Sequence, residues 1–565
     1  MMARIVSIGN QNFADIITNN YFYIDKTMFI REWWENGDAV TLITRPRRFG
    51  KTLLISMVER FFSTEYEGQS GVFEGLSIWR EEKYRKLQGT CPVISLSFAD
   101  IKEGSFKAAR EKLYQIITDL YHKYRFLLDK NFLEGSEKEF FQKVSPDMPD
   151  YVATLSLKAL SGCLYRYYGK KTVILLDEYD TPMQEAYAGG YWNEMAGFIR
   201  SLFNSTFKTN PYLDRAVMTG ITRVSRESIF SDLNNLEIVT TTSEKYEAAF
   251  GFTQEEVWDA LEEYGLSDKR EEVKGWYDGF TFGRRSDIYN PWSVLNYLDK
   301  RKFSAYWANT SSNNLVGRLI RESGPKIKMV MEDLLKGKSF HAKIDEQLVY
   351  DQLSGNEGAV WSLLLASGYL RVVHYEEDMA PSGEWVQDYE LAVTNFEVKT
   401  MFQSMIQGWF GASNGDCNDF IKALLRGDTE EMNAYMSRMA EEIFSSFDTG
   451  KRPSRRSEPE RFYHGFVLGL LVELNGRYVI TSNRESGFGR YDVQLEPQNR
   501  EDDAILIEFK VRNPQKEQTL EDTLQNALEQ IETKGYATGL RQRGIEERKI
   551  RRYGVAFEGK KVLIG

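Results

Sequence analysis

Two groups of residues in this chain have the types and the spacing that phosphate chemistry requires. The first is Thr44-Arg-Pro-Arg-Arg-Phe-Gly-Lys-Thr52, which follows an apolar run at 39–43 and precedes a helical pattern at 53–62. Gly50 lets the backbone close around a polyphosphate, Lys51 can meet the β and γ phosphates, and Thr52 offers a hydroxyl to Mg²⁺. The residues predicted to bind nucleotide in this loop are Arg45, Pro46, Arg47, Arg48, Phe49, Gly50, Lys51 and Thr52. Arg45 stands where the plain phosphate-loop motif begins with glycine.

An acidic partner for this loop ends the apolar pattern Thr172-Val-Ile-Leu-Leu-Asp-Glu-Tyr-Asp180. Asp177 is predicted to hold Mg²⁺ and Glu178 to orient or deprotonate the attacking water, because phosphoryl transfer depends on positioning and charge neutralisation. Another short apolar run leads into Met218-Thr-Gly-Ile-Thr-Arg223. Arg223 is placed to sense a γ phosphate, although a helix cap or an ion pair explains an arginine there equally well.

The second group lies near the C-terminus, where Asp492 is followed on the next predicted strand by Glu508 and Lys510. Period-two alternation points Glu508 and Lys510 to the same face of that strand. Two carboxylates on one side of a sheet can bind Mg²⁺ or Mn²⁺, and a nearby ammonium can stabilise phosphate charge or position water. The group therefore meets the requirement for metal-dependent phosphodiester cleavage, although ordinary surface strands also alternate acid and lysine.

Apolar periodicity predicts the elements that must position these residues. In the N-terminal half, strand-like runs alternate with helical patterns, which is typical of a mainly parallel sheet with helices on both faces and a ligand at the strand carboxyl ends. The predicted strands there are 39–43, 92–98, 172–176 and 215–218, and the helices include 105–124 and 192–207. Near the C-terminus the predicted order is helix 460–474, strands 477–481, 490–495 and 504–511, helix 519–533, and strands 553–557 and 561–564.

Length and composition predict several domains. The chain has 565 residues, which is too long for one core. Its 42% hydrophobic and 27% charged residues are an ordinary globular composition. We expect an α/β nucleotide-binding domain at 1–250, a helical or winged-helix-like middle region at 251–445, a polar, basic linker at 446–459, and an α/β domain at 460–565. Thr253 and Glu256 form the capping-box pattern of a helix start, and the aromatic residues that follow are expected to be core.

Charge and cysteine content narrow the classes of function. The net charge of -11 argues against a general nucleic-acid coat, and the basic stretches 451–456 and 541–552 are either solvated surface or local nucleic-acid contacts. Three scattered cysteines and four histidines give no zinc-ligand spacing. No run reaches the roughly 18 apolar residues of a membrane span, and the N-terminus lacks a signal-peptide pattern, so a cytoplasmic protein without a membrane partner is expected.

The motifs together resemble a known family. Residues 44–52, 175–180 and 218–223, with GFTQEEV, WYDGF and YNPWSV in the middle region, are similar to AAA-ATPase-like proteins of bacteria and archaea that carry a C-terminal nuclease-type domain. An arginine commonly stands at the Arg45 position in that family. The ATPase core is also similar to signal-transducing NTPases that act as switches, which implies slow, regulated ATP hydrolysis and association into a homo-oligomer.

The C-terminal pattern resembles the PD-(D/E)XK nuclease fold. The resemblance implies that Asp492, Glu508 and Lys510 are catalytic and that Asp492 and Glu508 bind metal. It also implies that Glu460 is the first acidic residue, with Glu473 as the alternative. Further residues that the resemblance adds to the site are Gln530, as the polar residue often found there, and Lys534 and Tyr536, as supporting contacts. Tyr491 replaces the usual proline, which the metal does not need.

Three other residues near this site have two explanations each. Arg484 and Arg490 flank a glycine-bearing turn and either contact DNA phosphates or pair with neighbours. His464 is either a packed helix residue, which is the favoured explanation, or a metal ligand.

Two functions remain open from the sequence. The first is an ATP-binding switch, using ATP and Mg²⁺ or Mn²⁺, that controls a nuclease acting on DNA or RNA, with DNA favoured, as in mobile-element defence. The second is a nucleotide-dependent signalling or nucleic-acid-binding protein whose nuclease-like domain is inactive. Both functions share every ATPase residue, so only the C-terminal site distinguishes them.

Overall fold

The chain divides into two compact units. The first comprises Met1–Val316 with Ser339–Lys399, and the second comprises Gly317–Lys338 with Thr400–Gly565. The computed structural model describes residues 3–129, 133–223, 229–230, 233–308, 316–317, 319–320, 325–344, 357–379, 385–411, 416–442, 467, 470–471, 474, 477–486, 489–499, 501–559 and 561–565. The predicted linker at 446–459 lies outside the described residues.

A five-stranded sheet with parallel pairing forms the centre of the first unit. Its strands are β1 (Val40–Thr44), β2 (Val93–Ser97), β3 (Thr172–Asp177), β4 (Leu213–Gly220) and β5 (Leu236–Val239), in the order β2-β3-β4-β1-β5. Strands β1 and β3 are buried along their whole length, which explains their continuous apolar sequences. The predicted parallel sheet is confirmed, and β5 is an additional strand.

The order of the strands brings two predicted motifs together. Strand β4 lies between β1 and β3, with Thr44 beside Gly220 and Leu176 beside Met218. Because all three strands run in the same direction, the residues that follow them meet at one edge of the sheet. The helices of this part are α1 (Phe13–Thr18), α2 (Met28–Asn36), α3 (Lys51–Phe62), α4 (Glu82–Arg85), α5 (Phe106–Lys123), α6 (Phe126–Asp129), α7 (Gly135–Lys143), α8 (Asp150–Tyr168), α9 (Thr181–Gly189) and α10 (Trp192–Phe203).

The middle of the chain contains helices. It also contains two small antiparallel sheets, which the sequence did not predict. One sheet has the order β6-β8-β7, from β6 (Phe252–Thr253), β7 (Phe280–Phe282) and β8 (Arg285–Tyr289). The other has the order β10-β11-β9, from β9 (Phe340–Ala342), β10 (Leu370–Met379) and β11 (Trp385–Val393). The helices are α11 (Gln254–Glu263), α12 (Arg270–Tyr277), α13 (Pro291–Lys300), α14 (Pro325–Leu335), α15 (Glu357–Ala366) and α16 (Phe396–Gly411). Helix α11 begins with the predicted capping box of Thr253 and Glu256.

A mixed five-stranded sheet forms the centre of the second unit. Its strands are β12 (Tyr478–Ser486), β13 (Gly489–Pro497), β14 (Ala504–Val511), β15 (Ile550–Glu558) and β16 (Lys561–Ile564), paired in that order, with β14 and β15 parallel. Its helices are α17 (Asp416–Arg426), α18 (Thr429–Glu442), α19 (Leu520–Thr533) and α20 (Thr538–Gln542). The predicted α/β character of this region is confirmed. Helices α17 and α18, from the predicted middle region, share their hydrophobic core with this sheet.

Candidate functional site

The lysine at the start of α3 is hydrogen-bonded to the backbone of the loop that precedes it. Lys51 Nζ donates hydrogen bonds of 2.8 Å to the carbonyl oxygens of both Arg45 and Pro46. Burial lowers the pKa of Lys51, whereas the negative charges of Glu178 and Asp177 act in the opposite direction. Gly50 has a φ of 84°, a left-handed conformation that glycine adopts without strain. The ammonium is therefore fixed at the place where a phosphate loop meets its anion.

Thr52 and Asp177 lie in direct contact beside this lysine. The Thr52 hydroxyl donates a hydrogen bond of 2.6 Å to Asp177 Oδ2, and the Thr219 hydroxyl donates one of 2.5 Å to Asp177 Oδ1. Thr52 lies in the first turn of α3, Asp177 ends β3 and Thr219 is near the end of β4, so the sheet order creates the contact. A threonine hydroxyl and a carboxylate are the oxygen donors that Mg²⁺ prefers, and this pair fits the predicted metal.

The residues after β3 organise the neighbouring loop. Glu178 has a φ of 50°, an uncommon conformation for a residue other than glycine, and its carboxylate accepts a 3.1 Å hydrogen bond from the Thr181 hydroxyl. Asp180 Oδ2 accepts hydrogen bonds from the amides of Ile221 and Thr222, at 3.1 and 2.9 Å. Asp180 therefore fixes the segment that leads to Arg223, although Arg223 itself is half-buried and is not among the described residues that line the cavity.

A cavity of about 520 Å³ opens over the loop. Its volume is in the range of small-molecule and nucleotide sites. Gly50, Lys51, Thr52 and Glu178 are among the residues that line it. The other walls come from the N-terminal segment, α3 and the middle of the chain, and include Ser7, Asn10, Gln11, Ile16, Phe22, Tyr23, Ile24, Lys26, Leu54, Met57, Phe252, Pro291, Trp292 and Leu295. The cavity lining thus combines charged residues, suited to phosphate, with apolar and aromatic side chains.

The Arg45 side chain points away from this cavity. Arg45 is 0% exposed, donates to the carbonyl oxygens of Thr44 and Thr240 at 2.9 and 2.6 Å, and lies 4.6 Å from the centre of the Phe282 ring. Burial lowers its pKa to about 9. The buried guanidinium therefore anchors the loop through its hydrogen bonds to backbone carbonyl groups. Arg45 and Pro46 can face a nucleotide only through their backbone.

The remaining loop residues divide between anchoring and lining. Phe49 is 1% exposed and packs edge-on against Phe280 and Phe282, with ring centres 4.8 and 5.3 Å apart. Arg47 and Arg48 are exposed and line the cavity. The loop is thus held by aromatic residues of the small sheet β6-β8-β7 while its arginines face the cavity.

The C-terminal residues also come together, on strands β13 and β14. The antiparallel register pairs Val493 with Ile507, so Asp492 and Glu508 follow directly beyond that pair. Asp492 Oδ2 accepts a 2.9 Å hydrogen bond from the Phe509 amide. Glu508 is 3% exposed, an unusual degree of burial for a carboxylate. Two acidic groups therefore lie side by side on adjacent strands, as Mg²⁺ or Mn²⁺ binding requires.

Gln530 on α19 bridges the two residues of the E-x-K pattern. Its Nε2 donates to Glu508 Oε1, and its Oε1 accepts a 2.7 Å hydrogen bond from Lys510 Nζ. The same Nε2 lies 2.9 Å from the Tyr536 hydroxyl. Burial raises the pKa of Tyr536, and the charges of Glu508 and Asp492 raise it further, so all five groups form one polar cluster.

Several predicted residues lie outside the described residues. They are Glu460, Glu473 and His464, together with the side chains of Arg484 and Arg490. Lys534 lies at the C-terminal end of α19, where its amide bonds the Gln530 carbonyl. In the described part of the chain, no group of three or more His, Cys, Asp or Glu side chains is arranged to hold a metal ion. Glu460 therefore stays a prediction.

Comparison with known proteins agrees with this division of sites. Residues 7–230 match the family described as predicted AAA-ATPase, and residues 458–565 match the PD-(D/E)XK nuclease superfamily. The chain joins an AAA-ATPase-like region to a PD-(D/E)XK nuclease-like region. It is also 28% identical over 343 residues to a protein from Azotobacter chroococcum mcd 1 named "Uncharacterized protein in vnfD 5'region". The match covers 59% of this chain and 59% of that relative, so the chain spans less than two thirds of the relative's length.

The basic stretch 541–552 of the nuclease-like region is occupied by ion pairs. Its arginines contact carboxylates of the same region, and the pairs include Arg541 with Glu547, Arg543 with Glu496, Arg548 with Glu546, Arg551 with Asp503 and Arg552 with Glu532. This favours the explanation of the stretch as solvated surface.

In the described residues no helix is long and apolar enough to cross a bilayer.

Three residues that contribute to the AAA-ATPase-like site were not among the predicted site residues. Asp180 fixes the loop after β4, Trp292 lines the cavity, and Phe22 belongs to the cavity wall and to a core shared with α11 to α13. Asp180 ends the acidic motif and was visible as such. The aromatic residues were expected to be core, and periodicity alone gives no sign that a core aromatic also faces a cavity.

Proposed function

We propose that the protein binds ATP with Mg²⁺ in the 520 Å³ cavity, hydrolyses it slowly, and uses it to control a metal-dependent nuclease in the C-terminal region. The contact between Thr52 and Asp177, 125 residues apart, carries the nucleotide half of the proposal, because it unites the two phosphate motifs at a residue, Thr52, that lines the cavity. The matches to a predicted AAA-ATPase and to the PD-(D/E)XK superfamily support a nucleotide-dependent, nuclease-associated protein.

At the nucleotide site, the residues present would act on phosphate charge and on water. Lys51 would exchange the carbonyl oxygens of Arg45 and Pro46 for phosphate oxygens. Mg²⁺ held by Thr52 and Asp177 would neutralise charge on the β and γ phosphates. Glu178 lines the cavity beside them and would orient the attacking water, with its carboxylate held by Thr181.

At the nuclease site, Gln530 holds Glu508 and Lys510 together next to Asp492. Asp492 and Glu508 would hold Mg²⁺ or Mn²⁺, which would activate water and stabilise charge on a phosphodiester. The Lys510 ammonium would stabilise the same developing charge. The contacts of all three residues favour an active nuclease over an inactive binding domain. DNA as the substrate, self-association and a role in defence against mobile elements are parts of this proposal.

The test is metal-dependent cleavage of single- and double-stranded DNA and RNA by the full chain. Wild type is expected to cleave with Mg²⁺ or Mn²⁺, and Asp492→Ala, Glu508→Ala and Lys510→Ala each to lose activity by roughly 100-fold or more. Arg543→Ala, a surface ion-pair residue, is the control and should leave the rate unchanged. Equal rates in wild type and all three site variants, or no cleavage of any substrate, would remove the nuclease half.

A further inference from the structure

The phosphate loop is in contact with the beginning of α13. The Arg48 guanidinium lies over the Trp292 ring, 4.5 Å from its centre, and the Asn290 side-chain amide lies 3.5 Å from the Arg47 carbonyl oxygen. Arg48 has a φ of 66°, a left-handed conformation that costs free energy in a residue other than glycine. Contacts with α13 therefore help to maintain the shape of the loop that a nucleotide would occupy.

The same turn of α13 is also held by a buried carboxylate. Glu397 is 0% exposed and accepts hydrogen bonds from the Ser293 hydroxyl at 2.8 Å and from the Trp307 and Ala308 amides at 2.6 and 3.3 Å. Ser293 is the residue next to Trp292. One peptide unit thus separates the cavity wall from the Glu397 contact.

Glu397 occupies a particular place in the chain. It lies in the first turn of α16, and the first compact unit ends two residues later, at Lys399. The helix continues to Gly411, in the part of the sequence that belongs to the second unit. A change in the hydrogen bonds of Glu397 therefore acts on the helix that leads out of the nucleotide-binding unit.

We propose that Trp292, Ser293 and Glu397 are positioning residues that report nucleotide occupancy from the phosphate loop to the start of α16. The proposal rests on nucleotide binding at the proposed site. Phosphate groups attract the exposed Arg48 guanidinium and change its stacking on Trp292. The turn at Ser293 follows, and Glu397 responds because its side chain is fully buried and bonded to that turn. Bound nucleotide then stabilises the first turns of α16.

Hydrogen exchange of the full chain tests this directly, with and without Mg²⁺ and a nonhydrolysable ATP analogue. In the wild type, the analogue is expected to slow exchange in residues 396–405 by roughly threefold or more. Ser293→Ala and Glu397→Gln are each expected to bind the analogue within about threefold of wild-type affinity and to lose this protection. Glu263→Gln, a carboxylate of the same unit that pairs with Arg4, is the control and should respond as wild type does.

Each other result has a definite meaning. Analogue binding to the wild type without slower exchange at 396–405 would overturn this inference and leave the proposed function intact. Protection that persists in both variants, or that is lost equally in Glu263→Gln, would also overturn it. Failure of the analogue to bind would remove the proposed function and the inference together. ATP-independent DNA cleavage with nucleotide-dependent protection would leave the inference standing and contradict only the control of the nuclease.

Discussion

The hydroxyl of Thr52 donates a 2.6 Å hydrogen bond to the carboxylate of Asp177 across 125 residues of sequence. Thr52 is the second residue of α3 and Asp177 ends β3, so the contact depends on the parallel order of the sheet. The Thr219 hydroxyl holds the second oxygen of the same carboxylate. The pair is therefore the centre of the proposed nucleotide site and the first place to test it.

Asp177→Asn should weaken binding of Mg²⁺–ATP by roughly tenfold or more, because the amide removes the negative charge that the metal needs. Isothermal titration of the full chain with ATP, with and without Mg²⁺, measures the effect. Thr90→Ala, which removes a threonine bonded to its neighbour Leu87, is the control. Unchanged Mg²⁺ dependence in Asp177→Asn would contradict the assignment of the metal site.

Glu178→Gln should keep ATP binding and slow hydrolysis by roughly 100-fold, because the amide cannot take a proton from water. The measurement is phosphate release in single-turnover conditions. Glu185→Gln changes another carboxylate at the cavity and should have little effect. A similar loss in both variants would show that general charge in the cavity, and not a base at Glu178, controls the rate.

Gln530→Ala should reduce DNA cleavage by roughly 10- to 100-fold, because it releases Glu508 and Lys510 from their shared partner without removing either. Lys510→Ala should cost more. Gln525→Ala on the exposed side of the same helix tests for loss of helix stability. The role of Gln530 is wrong if its variant cleaves like wild type.

Replacing Arg45 with glycine would restore the plain phosphate-loop motif, and it should destabilise the protein. The buried guanidinium donates hydrogen bonds to three carbonyl groups and packs on Phe282, so Arg45→Gly should lower the free energy of unfolding by roughly 3 kcal/mol. Urea denaturation measures this, with Arg47→Gly at the exposed neighbouring position as the control. Equal stability of the two variants would contradict an anchoring role.

The stability of the protein should fall as the pH rises from about 5 to 7. Burial raises the pKa of Glu397 to about 7, from an ordinary value of 4.5, so in this range the unfolded chain releases a proton that the folded chain keeps. Burial also raises the pKa of Asp278 to about 7, and this too makes the stability fall as the pH rises. Glu397→Gln should therefore reduce, but not remove, the decrease in urea midpoint between pH 5 and pH 7. A decrease identical to that of the wild type would contradict a protonated Glu397.

The sequence predicted the elements that carry local signals. The apolar runs at β1 and β3 were evident because strands of a parallel sheet are buried on both faces. Glu508 and Lys510 share a face and a partner, as strand alternation required. The capping box at Thr253 was equally local.

Contacts between distant residues were beyond the sequence. Nothing local distinguishes an arginine that binds phosphate from one that is buried, and Arg45 is fixed by Thr240 and Phe282 far along the chain. Trp292 has the same difficulty, because its role follows from the position of Arg48. Helices α17 and α18 were predicted to belong to the middle region. Their packing partners lie on the C-terminal strands, and the local sequence does not show that contact.

The central claim is that nucleotide controls cleavage. Its most direct test is the rate of Mg²⁺-dependent DNA cleavage with and without ATP, compared between wild type and Lys51→Ala. We predict that ATP changes the wild-type rate by roughly tenfold or more, and that Lys51→Ala cleaves at one rate whether or not ATP is present. A wild-type rate that ATP leaves unchanged, or an equal response to ATP in Lys51→Ala, would contradict the account.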